Sequence, residues 1–242
     1  MTSERTFFGS SALLFTASAA GTIAWCGSMS GMRGMPMPGD WTMSMAWMRM
    51  AGQTWPAFAA AFLGMWEVMM VAMMLPSLLP VLRRYRGGRG GLTLVIVGYF
   101  FVWGVVGMAT LPVGVALTTV EMRNPALSRS VPFAVGGTVL VAGVLQFTAW
   151  KARQLACCRE AAGCAAPAWR HGLHSGLQCV RCCANLMAIL LVTGVMDLGA
   201  MTLVAAAITA ERLLPEGERV ARAIGVVVVG VGLFLIGRAL LG

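Results

Sequence analysis

An all-α fold is predicted by the sequence: a polytopic transmembrane helical bundle of about six helices, with seven as the alternative. Three observations carry this. The 242 residues are 58% hydrophobic and 11% charged, with a mean hydropathy of +0.79, a balance that belongs to membrane-spanning chains rather than soluble globules. Apolar runs long enough to cross a bilayer recur along the chain. The formal net charge of +9 would suggest nucleic acid in a soluble protein. Here the arginines fall in short loops between apolar runs, where positive charge sets orientation. Membrane lipid is therefore the expected surrounding, and nucleic acid is excluded as a partner.

Residues 1–26 read as a first transmembrane helix. Phe7 to Trp25 is apolar and follows Arg5, and although Ala17-Ser18-Ala19 resembles the cleavage site of a signal peptide, the segment is expected to stay as a helix. Residues 27–56 form a Met-rich outer loop, holding Met29, Met32, Met35, Met37, Met43, Met45, Met48 and Met50 of the chain's 19 methionines. Trp41 to Met50 is expected to lie flat in the interface, since Trp prefers the headgroup level. Residues 57–242 supply the remaining bundle. The second span runs from about Phe58 to Leu82, and Pro76 is expected to kink it beside Met73 and Met74 by removing a backbone hydrogen bond and crowding Ala72 O. Arg83, Arg84, Arg86 and Arg89 follow without an acid among them, which makes that loop cytoplasmic, the N-terminus cytoplasmic and the Met-rich loop external.

Leu92 to Thr119 is the third span, Glu121 to Ser130 an outer loop and Pro132 to Trp150 the fourth span. A Cys/His-rich inner loop, residues 151–181, comes next. Cys182 to Ile208 is read as a fifth span, Glu211 to Arg222 as an outer loop with equal numbers of acids and arginines, and Ala223 to Leu241 as the sixth span, leaving both ends inside. The seven-helix alternative splits the fifth span near Gly199, because 27 helical residues measure about 40 Å against a hydrocarbon core of about 30 Å.

The stretch Met65 to Pro80, MWEVMMVAMMLPSLLP, joins one carboxylate to five thioethers. At 100° per residue Met65, Met69 and Met73 form one slowly turning row, and Met70 and Met74 share the adjoining strip with Glu67. Thioether sulfur is a soft ligand that favours Cu(I), and an ionisable group at membrane depth points to function. The bland alternative is that these methionines are flexible filler between helices. Asp197, flanked by Met196 and followed four residues later by Met201, repeats the pairing of acid and thioether. Counted from the expected helix ends, Glu67 and Asp197 both come near mid-membrane, where they can meet and bind a cation or share a proton. A protonated acid bonded to Asn185, Gln146 or a backbone carbonyl is the structural alternative.

A second group of ligand types runs through Cys157, Cys158, Cys164, His171, His174, Cys179, Cys182 and Cys183. A CxxC pair followed at once by a third cysteine, with two histidines three residues apart just upstream, has the types and spacing for a soft metal. The cysteines could equally be small apolar residues at a helix mouth, or a redox dithiol, though no thioredoxin-like unit is visible. The compartments suit copper: thiols stay reduced in the cytoplasm, whereas methionine holds Cu(I) outside without forming disulfides. Cys26, at the outer end of the first helix, has no assigned role, although it can join the Met-rich loop as a ligand.

MWEVMMVAMMLPSLLP together with HGLHSGLQCVRCCANLMAILLVTGVMDLGAMTLVAAAITAERLLP resembles the two signatures of a bacterial family of predicted metal-binding integral membrane proteins, some of whose members are regarded as copper chaperones for polyphenol oxidase. The likeness extends from about Phe58 to Leu241. It marks Trp66, Met69, Met73, Met74 and Pro76, then Gly172, Gly176, Cys179, Cys182, Cys183, Met187, Gly194, Met196, Met201 and Glu211. Asp197 stands where Asn is expected to be common, and Arg212 where Lys is usual. The resemblance implies copper handling in a bacterial inner (cytoplasmic) membrane.

The expectation is thus a non-enzymatic Cu(I) protein with a copper enzyme or membrane complex as client. Its metal-ligand candidates are Glu67, Met69, Met70, Met73, Met74, Asp197 and Met201 in the membrane, Cys179, Cys182, Cys183, His171 and His174 towards the inside, and Met43, Met45 and Met48 outside. Two rival classes are an assembly subunit with no metal of its own, whose methionines are packing, and a membrane dithiol oxidoreductase. No haem-attachment motif, phosphate loop or nucleophile triad is apparent.

Overall fold

The computed structural model describes residues 2–30, 35–37, 41–50, 52–85, 88–160 and 167–241. These residues form helices α1 (Thr2–Ser30), α2 (Trp55–Arg84), α3 (Arg89–Arg123), α4 (Pro125–Leu145), α5 (Ala149–Glu160), α6 (Ala168–Thr193), α7 (Leu198–Leu213) and α8 (Gly217–Leu241). Five of them, α2, α3, α4, α6 and α8, are long and apolar enough to cross a membrane. The all-α helical bundle is the fold that the hydropathy predicts.

Helix α2 starts and stops where its end groups allow. Thr54 Oγ1 accepts from Ala57 N at 3.4 Å, Pro56 occupies the first turn where its missing N–H costs nothing, and Arg83 and Arg84 meet the carbonyl end. The helix runs unbroken through Pro76 and Pro80. Helices α1 and α3 pack antiparallel to it. On α1, the Arg83 guanidinium lies 5.2 Å from the Phe8 ring at one end, while Gly21 packs on Val68 farther along. On α3, Trp66 Nε1 donates to Trp103 O at 2.9 Å. Helices α3 and α6 approach through glycine, since a Cβ at Gly98 would stand 2.9 Å from Trp169 O. Close backbone approach of this kind is how helices associate where lipid removes the hydrophobic drive between them.

The expected fifth span is two helices. Helix α6 ends at Thr193, Gly194 takes φ of 129°, and Asp197 caps α7, its Oδ1 accepting from Ala200 N at 2.8 Å. A positive φ suits glycine, and an Asp N-cap satisfies a free N–H of the new helix, so the chain doubles back here. Met196 lies beside Met65 and Met69 of α2, whereas Arg212 at the far end of α7 donates to Ser77 Oγ at 3.0 Å. Helix α7 therefore runs parallel to α2 and brings Glu211–Arg222 to the arginine end of the bundle, where Arg83 and Arg84 lie, rather than to the opposite end. Helix α8 starts at this arginine end and packs antiparallel on α4, with Gly136 against Ile236 and Gly143 against Val229. The break at 194–197 divides the expected fifth span, as the seven-helix alternative does near Gly199, and Thr2 and Leu241 lie at opposite ends of the bundle.

Two further segments differ from expectation. The inner loop is largely helical: α5 covers Ala149–Glu160, and α6 already begins at Ala168, so His171, His174 and Cys179 lie on a helix. The Met-rich segment contains a short antiparallel hairpin, β1 (Met35–Met37) paired with β2 (Trp41–Met43), followed by a 3-10 turn at Met45–Trp47. It packs on the bundle. The Trp47 ring sits 5.3 Å from that of Phe62, and Trp41 Nε1 donates to Ser128 O at 3.0 Å.

Candidate metal centre

The five methionines of α2, Met65, Met69, Met70, Met73 and Met74, are all buried against other helices. Glu67 sits about 200° around the helix from Met65 and Met69, and it turns to α3. Gly104 makes room for it, because a Cβ there would lie 2.7 Å from Glu67 Oε1. Asp197 is exposed and occupied in capping α7. The two carboxylates thus address different neighbours, and no described contact joins them. The expected acid pair fails because Asp197 falls in the break between α6 and α7, not in the middle of a helix.

Sulfur converges elsewhere. Cys179, Cys182 and Cys183 stand three and four residues apart on α6, which puts them on one helix face. All three are buried. Cys179 Sγ lies 3.7 Å from Cys183 Sγ and 3.9 Å from Met74 Sδ across the interface with α2. Two donors close on the same sulfur: Tyr99 Oη at 2.9 Å from α3 and Arg212 Nη1 at 3.0 Å from α7. Cys158 of α5 completes the group, its thiol donating to Gln178 O at 3.3 Å. A hydrogen bond with Cys182, then burial, push the Cys158 thiol up, which keeps it protonated.

Behind the thiols a buried ion pair ties three helices and the residue that follows α4 together. Lys151 Nζ of α5 lies 2.8 Å from Glu211 Oε2 of α7 and donates to Cys182 O at 2.8 Å, and Gln146 Nε2 donates to Glu211 Oε1 at 2.6 Å. Each charge is 1% exposed, so each depends on the other and on these hydrogen bonds to offset its desolvation. A cavity of about 240 Å³ at the arginine end is lined by Ser77, Arg84, Cys158 and Arg212.

Several candidates lie apart from this cluster. His171 is buried without a hydrogen-bond partner among the described residues, its ring 5.7 Å from that of Tyr85. Eight residues before Cys179, it is about 12 Å down the helix axis. His174 is exposed, with Nε2 2.9 Å from Gln178 Nε2. Met43 is buried and Met48 half-buried, while the side chains of Met29, Met32, Met35 and Met45, and all of Cys164, lie outside the described residues. Met201 is buried at the end of the methionine row away from the thiols. Among the described residues, no three His, Cys, Asp or Glu side chains gather as a metal cluster. A soft ion here would need mixed thiols and thioethers.

Sequence reasoning missed Tyr99 and misplaced Lys151, Glu211 and Arg212, which it read as loop charges or loop acids. The available signal was the short VMDL segment after Gly194: a glycine followed by an N-cap aspartate marks a helix break, and a break there returns Glu211 and Arg212 to the cysteines.

Among curated proteins and among solved structures, none matches the chain. A family model does match, over residues 63–235, and its span takes in the methionine row, the three cysteines, Arg212 and both partners of the buried ion pair. With soft ligands gathered between α2 and α6 and that match covering most of its length, the chain belongs to the PpoB2 copper chaperone family.

Proposed function

We propose that the protein binds Cu(I) through sulfur and passes it to a copper enzyme or membrane complex, with no catalysis of its own. The observation that carries this is the environment of Cys179: a buried thiol with a second thiol at 3.7 Å, a thioether at 3.9 Å and a guanidinium at 3.0 Å. Metal–sulfur bonds of about 2.3 Å, the length of zinc–thiolate bonds, separate two sulfurs on one ion by about 3.8 Å at the tetrahedral angle. The spacing supports a shared ion with little rearrangement, and soft sulfur selects Cu(I) over harder cations. Cu(I) on two thiolates carries one net negative charge. Arg212 supplies the balancing positive charge, which a site removed from water requires.

From Met74 the buried thioethers of Met73, Met70 and Met69 lead along α2 towards Met201. Met65 and Met74 are separated by about 13.5 Å of helix rise, so the row offers successive soft contacts across the bundle interior. By the positive-inside tendency the arginine end and the N-terminus face the cytoplasm of a bacterial inner membrane, which puts the thiols inside and the Met-rich segment outside. Replacing Met69 and Met73 with Leu keeps volume and apolarity while removing sulfur. In protein purified under reducing conditions and loaded with Cu(I), Cys179→Ser with Cys183→Ser should lose about one copper equivalent, and the Met69→Leu, Met73→Leu pair should retain less copper with its helicity intact. Wild-type copper content in both variants would overturn the reading.

A further inference from the structure

At the end of the methionine row away from the thiols, sulfur gathers a second time. Cys26 on α1 is buried, and its Sγ lies 3.9 Å from Met196 Sδ in the link between α6 and α7. Met65, Met69 and Met201 line the same cavity of about 10 Å³. A space of that size takes about one water-sized occupant. Five sulfur-bearing side chains from three parts of the chain thus surround room for a single ion. Thr22, also on the wall, already donates to Ser18 O at 2.9 Å.

We propose that Cys26, Met65, Met69, Met196 and Met201 form a second, separate site for a soft monovalent cation. That the cation is Cu(I) rests on the reading of the protein as a copper chaperone. Cys26 lies on a helix that precedes the matched residues 63–235, so α1 adds a ligand from outside the matched region. Charge distinguishes this site from the first. Binding replaces the thiol proton, R–SH + Cu⁺ giving R–S–Cu + H⁺, with the proton released to water and no change of oxidation state. One thiolate with thioethers around Cu(I) is neutral, and among the described residues no Lys or Arg lines this cavity. The thiol cluster, with more than one thiolate available, has Arg212. Each site carries the countercharge that its own thiolates require. With one anionic ligand, the Cys26 site is the looser of the two and the one suited to exchange at this end of the bundle.

Ag(I), a redox-inert stand-in for Cu(I), tests this on the full chain in detergent. Two measurements are made: the metal retained after desalting, and the rate at which Cys26 is alkylated by N-ethylmaleimide, followed by mass spectrometry. In wild type, Ag(I) should slow alkylation of Cys26 by about tenfold or more. Met196→Leu, which keeps the thiol, should abolish that protection while the helical circular dichroism stays unchanged. The Cys179→Ser, Cys183→Ser protein should still retain about one Ag(I), lost when Cys26→Ser is added. Equal alkylation rates with and without Ag(I) in wild type would overturn the second site. If instead the Cys179→Ser, Cys183→Ser protein keeps the full wild-type complement while Cys26→Ser alone loses an equivalent, the second site stands and the thiol cluster fails.

Discussion

Arg212 governs the electrostatics of the buried thiols. Its guanidinium contacts Cys179 Sγ and Ser77 Oγ, both at 3.0 Å, so it links α7 to α6 and α2 at the point where sulfur is densest. A hydrogen bond to a charged group contributes about 1.5–3 kcal/mol. Arg212→Met should therefore weaken Cu(I) binding at the thiols by about tenfold or more, measured by competition with a chromophoric Cu(I) chelator. Arg212→Lys keeps the charge but loses the planar fork, and it should restore most of the affinity. Equal losses in the two variants would mean that shape, not charge, is what Arg212 supplies. Lys151 and Glu211 answer a different need: 1% exposed and paired with each other, they hold α5 and α7 together beside the thiols.

The contact between α3 and α6 decides whether Tyr99 reaches Cys179. Gly172 faces the α3 backbone, and a Cβ there would collide with Val95 O, an atom with no freedom to move aside. Gly176 is held in the same way, its absent Cβ 2.9 Å from Tyr99 O. Gly172→Ala must push the helices apart, and overpacking of this kind costs about 1–3 kcal/mol. The expected outcome is a lower midpoint of thermal unfolding in detergent, together with a weakened Cu(I) site as the Tyr99 hydroxyl is drawn away. Tyr99→Phe removes that donor without moving the helices. It should reproduce the copper effect alone, which separates the element's role from the residue's.

Over the whole molecule, the doubling back at Gly194 sets the count of passes. Reporters fused ahead of α1 and after α8 should lie on opposite sides of the membrane, as accessibility labelling of cells and spheroplasts would read; reporters on the same side would rule out the seven-pass arrangement. Much of this architecture was legible in the chain. Hydropathy located the second, third, fourth and last spans, arginine placement marked one end of the bundle, and helical period put Met65, Met69 and Met73 on one face, because each depends only on near neighbours along the chain. The resemblance in the Met65–Pro80 and His171–Pro215 stretches also anticipated the family. That Glu67 and Asp197 address different neighbours, that the histidines lie apart from the cysteines, and where Arg212 sits were not legible, since each turns on where a helix stops and which way the next one runs. By itself the sequence determined a helical membrane bundle with a methionine row on one helix and a cysteine-rich stretch between two spans. Only the tertiary structure decided which sulfurs meet, because a thiol on α6, a thioether on α2 and a guanidinium on α7 become neighbours through packing and not through spacing.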